Sequence, residues 1–280
     1  MKTLLHTLLI LGAVNLFSSG ALAQKRNQFS GKYIPPFGVI SLTGGLGAAY
    51  YYGDLNDKPV LKGLGPAISV GALYRVTEHF SARGELRFYQ VSGHQSNSKY
   101  FNDNLSFRAR NPDLSLTVQA DLIAFNLRPK VNPYLVLGVS ATYLNTKTEK
   151  DGTWYSLPPL KTEGVNYSRV PLSITGGGGI MFQAFERLSL GMELNANFMF
   201  SDYLDDVGGK YANPENLSSD LSKMLADRSA EIGLPPKEEG WNRGVGKMND
   251  IYSFLQFRAT YLIGTRMQAR ERKKTRCPKF

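Results

Sequence analysis

Apolar and polar residues alternate with a period of two in a series of runs spread along this chain. The clearest run is Leu188 to Phe200, L-S-L-G-M-E-L-N-A-N-F-M-F. In an extended strand, successive side chains point to opposite faces. Leu188, Leu190, Met192, Leu194, Ala196, Phe198 and Phe200 then form one apolar face. Ser189, Gly191, Glu193, Asn195, Asn197 and Met199 form the other.

The same pattern predicts seven further strands. They are Val39–Tyr52, Pro66–Val76, a run starting at Phe80 and ending before Ser92, Asp113–Asn126, Pro133–Asn145, Arg169–Phe182 and Ile251–Ile263. The connections alternate between long and short. Long polar loops are expected at 53–65, 92–111, 146–167 and 201–250, with tight turns at 77–79, 128–130 and 184–186. Leu217, Leu221, Met224 and Leu225 recur at helical spacing inside the longest loop, which suggests a short amphipathic helix there.

Eight strands of about 9–11 residues or more, joined this way, match a transmembrane β-barrel with apolar residues outside and polar residues inside. The expected fold class is therefore all-β. It is an eight-stranded antiparallel transmembrane β-barrel with long outer loops and a basic C-terminal tail. An even number of strands puts both termini on one side, which for an outer-membrane barrel is the periplasmic side.

Magnitudes decide which face looks where. In water, the Leu188–Phe200 strand alone would expose seven apolar side chains, each forgoing roughly 1.5–3 kcal/mol of burial. In a membrane with the faces reversed, Arg83 and Arg87 would meet lipid at a cost of about 2–4 kcal/mol each near the midplane. Neither cost arises if the polar face lines the lumen. There Arg75, Arg83, Arg87 and Arg258 are expected to pair with Glu85, Asp121 and Glu193. Eight strands leave an interior just wide enough for side chains to fill, so a plugged lumen is expected. Tyrosines near strand ends (Tyr50, Tyr52, Tyr74, Tyr134, Tyr143, Tyr252, Tyr261) suit interfacial aromatic girdles.

Composition changes this picture mainly at the ends. Lys2, the apolar run Leu4–Phe17 and the small-x-small triplet Ala21-Leu22-Ala23 read as a secretory signal ending at residue 23. Residue 24 is Gln, so no lipid anchor is expected, and residues 24–38 read as a short periplasmic leader before a barrel spanning 39–264. The net charge of +10 would ordinarily suggest nucleic acid. Here the tail 265–280 holds Arg266, Arg270, Arg272, Lys273, Lys274, Arg276 and Lys279 against Glu271, six of the ten net positive charges. The excess is a terminal segment and not a basic face on a fold, so no nucleic acid is expected. Docking to an acidic partner or to lipid phosphates suits such a tail, and so does simple solvation. Cys277 is the one cysteine, which excludes an internal disulfide and leaves an intermolecular bond or a free thiol.

Other candidate chemistry is thin. His94-Gln95-Ser96-Asn97 is similar to a phrase of outer-membrane lipid A deacylases. His94 would be a base, Ser96 a nucleophile and Asp103 the residue orienting the His. An ordinary polar loop explains it as well. Asp202, Asp205 and Asp206 offer carboxylates for Ca²⁺, but their spacing fits no calcium loop, and capping and solvating the loop start is the simpler role. Gly176–Gly179 lack the Lys-Ser/Thr of a phosphate loop and sit inside a strand. No cofactor, metal or catalytic residue is expected.

Several phrases resemble the PorG-like outer-membrane β-barrels of the Bacteroidota type IX secretion and gliding apparatus. They are Gly45-Leu46-Gly47-Ala48-Ala49-Tyr50-Tyr51-Tyr52-Gly53-Asp54, Leu105-Ser106-Phe107-Arg108, Asn132-Pro133-Tyr134, Ser201-Asp202-Tyr203-Leu204-Asp205-Asp206-Val207, Leu225-Ala226-Asp227-Arg228-Ser229 and Cys277-Pro278. The resemblance implies a non-enzymatic barrel that joins the outer membrane to a periplasmic, lipoprotein-containing ring. Arg270, Arg272, Lys273, Lys274, Arg276 and Cys277 are then the candidates for partner contact. The alternatives are a lipid A-modifying hydrolase and a passive, membrane-stabilising barrel.

Overall fold

The computed structural model describes residues 38–56, 63–95, 103–244 and 249–265. Among the described residues ten strands form: β1 (Val39–Tyr52), β2 (Gly65–Arg75), β3 (Phe80–His94), β4 (Ser106–Asp121), β5 (Val131–Thr142), β6 (Thr146–Lys150), β7 (Thr153–Ser156), β8 (Leu172–Gln183), β9 (Leu188–Met199) and β10 (Ile251–Thr265). Eight of them are joined in the order β3-β2-β1-β10-β9-β8-β5-β4, and β3 pairs with β4 to close the ring. Every pairing is antiparallel. Closure leaves the ring without the open edge that lipid would not tolerate.

The two faces separate as the alternation predicts. Along β9, Leu190, Met192, Leu194 and Phe198 are exposed, whereas Glu193, Asn195 and Asn197 are buried inside. Leu46, Ile68, Phe88, Leu116, Leu137, Ile174 and Phe257 continue the outward apolar belt around the ring. Among the described residues no helix is long and apolar enough to cross a membrane. The chain crosses with strands instead.

The structure corrects three expectations. First, β3 and β4 run well past the expected loop 92–111, pairing out to His94↔Ser106. In this extension the alternation persists but its polarity inverts. Val91, Phe107 and Ala109 are buried inside, and Arg108 and Arg110 face out. Beyond the hydrocarbon layer the outer face meets headgroups and water, so polar residues belong there, while the inner face packs against loops. Second, the expected loop 146–167 contains the hairpin β6–β7. Asp151 and Gly152 both take positive φ (51° and 75°), as a two-residue hairpin turn requires. Third, Tyr134 and Tyr252 belong to no girdle. Both are buried in the lumen, 2% and 0% exposed.

The described part of the long loop, residues 201–244, is folded over the barrel end. Its helix α1 (Asp220–Ala226) is capped by Ser219, whose hydroxyl accepts from the Ser222 amide at 3.1 Å. Leu225 and Ala226 are buried on one side of α1. Leu204 and Val207 reach the apolar cluster formed by Ala49, Tyr51, Leu55, Tyr89, Val91 and Phe107.

Candidate functional site: an ion-paired lumen under a folded cap

The lumen is built from inward positions of the barrel strands, and its charges lie in three layers. Nearest the short turns, Arg75 is ion-paired with Asp121 and lies over the Phe125 ring at 4.3 Å. Gln119 donates to the second Asp121 oxygen at 2.8 Å. In the middle, Arg83 holds Glu193 by two bonds, at 2.6 and 3.0 Å. Arg258 is ion-paired with Glu85, lies 3.4 Å from Glu193 and donates to Thr43 at 2.7 Å. Arg83 also lies 3.4 Å from Glu85. Two cations and two carboxylates therefore balance.

Tyr134 donates to Glu193 at 2.8 Å, and Asn195 donates to it at 2.9 Å. Gly179 leaves the room this needs, because a Cβ there would sit 2.6 Å from the Tyr134 hydroxyl. Nearest the long loops, Arg87 bonds Asp113 at 2.7 Å and lies over the Phe254 ring at 4.7 Å. Tyr252 donates to the other Asp113 oxygen at 2.9 Å and stacks on Tyr89 with centroids 5.1 Å apart.

All seven charged residues expected in the lumen, Arg75, Arg83, Glu85, Arg87, Asp121, Glu193 and Arg258, are thus brought inside. Arg87 is the exception to the expected pairing. Its partner is Asp113, which sequence reasoning left out although its parity along β4 points inward. Desolvated charges such as these persist only when paired and hydrogen-bonded. Here each ion pair has further polar contacts.

Above the ionic layers the inner face turns apolar, and a carboxylate cluster sits in the cap. The Tyr51 hydroxyl lies 2.5 Å from Asp205 and 3.0 Å from Asp250. It has one proton to donate, so the second contact requires a carboxyl that keeps its own proton. Burial pushes the pKa values of Asp205 and Asp250 well up, helped by Asp250 beside Asp205 and by Asp202 beside Asp250. Backbone amides complete the arrangement: Val207 donates to Asp205 at 2.9 Å and Leu204 to Asp250 at 2.7 Å. Gly53 makes space for it, since a Cβ there would fall 2.1 Å from the Tyr51 hydroxyl.

Asp206 accepts from Thr162 and Tyr167, each at 2.5 Å, and Arg243 ties the region together through Glu163 at 3.2 Å and the Asp206 carbonyl at 2.6 Å. Burial raises Asp206 to about 6. Burial, with Asp54 and Glu163 nearby, raises Asp202 to about 7. Asp205 and Asp206 are therefore buried structural acceptors and do not solvate the loop start, as the sequence suggested. Among the described residues, no group of three or more His, Cys, Asp or Glu side chains is arranged to hold a metal.

Of the three residues suggested for hydrolase chemistry, His94 and Asp103 are described. Asp103 accepts from Gln95 at 3.0 Å and pairs with Lys237 at 2.7 Å. His94 closes β3 as an exposed residue. Ser96 lies outside the described residues, as do Arg270, Arg272, Lys273, Lys274, Arg276 and Cys277 of the tail.

A closed ring of eight antiparallel strands, apolar outside and ion-paired inside, defines a transmembrane β-barrel. No protein-family model matches the chain. No curated protein matches it either. Among solved structures it is similar to neisserial surface protein A, with 11% identity over 79% of this chain and 96% of that chain and a TM-score of 0.43. It is similar also to the outer membrane protein OprG from Pseudomonas aeruginosa, with 12% identity over 82% and 97% and a TM-score of 0.44. Ail of Yersinia pestis gives 12% identity over 81% and 98% and a TM-score of 0.39. At those scores the likeness adds nothing to what the strand pairing already defines.

Proposed function

We propose that this protein is an outer-membrane barrel that works as an anchor, and neither as a pore nor as an enzyme. The observation that carries the reading is the filled lumen. Arg83, Glu85, Glu193 and Arg258 cross the middle of the barrel as one charge-balanced cluster, and residues 201–244 pack over one end. A barrel built this way offers its surfaces and not its interior.

The finer part of the proposal is the assembly it anchors. Resemblance to the PorG-like barrels and the cations of residues 266–280 support a periplasmic partner, a lipoprotein or ring component of a type IX secretion or gliding apparatus. In this arrangement both termini and the short turns face the periplasm. Arg270, Arg272, Lys273, Lys274 and Arg276 supply charge to the contact, and Cys277 supplies a covalent link.

The test is co-purification from native outer membranes with and without reductant. Deleting 266–280 is expected to leave the barrel inserted and to release a discrete periplasmic lipoprotein. Replacing Cys277 with Ser is expected to make that association insensitive to reductant. Unchanged co-purification after the deletion would contradict the role of the tail.

A further inference from the structure

The outward face of the barrel is not uniformly convex. A groove of about 520 Å³ opens on it across β1 to β4, and its outward-facing residues are Leu46, Pro66, Ile68, Phe88, Gln90 and Arg110. Leu46 pairs with Ile68 and Ile68 with Phe88, so three adjacent strands supply an apolar floor at one level. One step toward the long loops, Pro66 pairs with Ala48, two short side chains in a belt of long ones. At that same step the apolar character stops. Gln90 pairs with Arg110, and the Arg110 guanidinium donates through Nε to the Gln90 oxygen at 2.8 Å.

Arg110 is the first cation met on the outward positions of β4 beyond Val118, Leu116, Leu114 and Pro112. Further round the rim at this end, Arg169 lies over the Tyr143 ring at 4.8 Å, a cation-aromatic pair of the kind found at headgroup depth. The groove is therefore apolar where acyl chains lie and cationic where headgroups lie. A guanidinium fork suits phosphate oxygens.

We propose that this groove retains one phosphate-bearing lipid of the leaflet at the long-loop end, with an acyl chain over Leu46, Ile68 and Phe88 and the phosphate on Arg110. This site rests on the membrane-spanning fold and not on the anchoring role, so either can fail without the other.

Native mass spectrometry of the purified full-length protein in detergent tests it, with dioleoyl phosphatidic acid and dioleoylglycerol as probes. The expected result is a first phosphatidic acid bound about tenfold more tightly than dioleoylglycerol. Arg110→Gln is expected to remove most of that difference, and Ile68→Trp, which fills the groove, to weaken both lipids. If Ile68→Trp fails to give the heat-shifted gel mobility of a folded barrel, Arg110→Gln and Gln90→Ala decide, since both lie at the polar mouth. Equal affinity of wild type and Arg110→Gln for phosphatidic acid would overturn the proposal. So would dioleoylglycerol binding as tightly as phosphatidic acid. Displacement of the lipid by millimolar inorganic phosphate would overturn it as well, because it would make this a site for free phosphate.

Discussion

Glu193 lies at the centre of the lumen cluster. It holds Arg83 in two bonds, neighbours Arg258, and accepts from Tyr134 and Asn195. Burying an ion pair is a poor source of net stability, yet breaking one is costly because the remaining charge is left uncompensated. Glu193→Gln keeps the shape and removes the charge. It leaves Arg83 and Arg258 sharing Glu85 alone, and about 3–5 kcal/mol of destabilisation is expected. A lowered denaturant midpoint in lipid vesicles measures it, and an unchanged midpoint would show that the cluster is not charge-balanced as described. At this scale the sequence was informative wherever parity could be counted. A charged residue on the inner parity of a transmembrane strand has only the lumen to occupy. Asp113 was missed for a different reason. It sits at the boundary where the outward apolar pattern ends, where a strand start and a lumen position look alike in sequence. The Tyr51–Asp205–Asp250 contact was not readable at all, since it joins positions 154 and 199 residues apart, and neither aspartate lies in a periodic stretch.

Strands β3 and β4 show what an element-level pattern hides. The expected strands ended where outward apolar residues ended. The real ones continue, because a strand needs only a partner and an alternation, and above the bilayer the alternation reverses sign. Phe107 and Ala109 inside, with Arg108 and Arg110 outside, was legible once both polarities were allowed. The hairpin β6–β7 was likewise signalled by Asp151-Gly152. The fold of loop 201–250 was not, apart from the helix α1 suggested by its leucines. That loop carries a pH prediction. Asp202 and Asp206, raised to about 7 and about 6, and Asp205 and Asp250, also raised, hold protons in the folded cap that an unfolded chain releases above about pH 4. The folded cap then binds more protons than the unfolded one, so its stability falls as pH rises. Amide hydrogen exchange in residues 201–244, corrected for intrinsic rates, is expected to show greater protection at pH 5 than at pH 8. Protection that increases across this range would mean the carboxylates are ionised in the cap.

For the whole molecule, the arrangement of layers matters more than any one contact. An apolar belt meets lipid, three ionic layers fill the lumen, and an apolar core with a folded cap closes the long-loop end. The period-two pattern and the alternation of long and short connections made the barrel and its strand number legible. They could not show that the long loops pack together, because loop packing depends on contacts between segments far apart in sequence, such as Arg243 with Glu163 and Thr146 with the Leu204 carbonyl at 2.7 Å. A lumen filled in this way leaves the barrel sealed. Single-channel recording of the purified protein in planar bilayers tests it most directly. The expected trace has no stable conductance steps in the wild type. Reproducible ohmic steps at neutral pH, present without any substitution in the Arg83–Glu85–Glu193–Arg258 cluster, would contradict it.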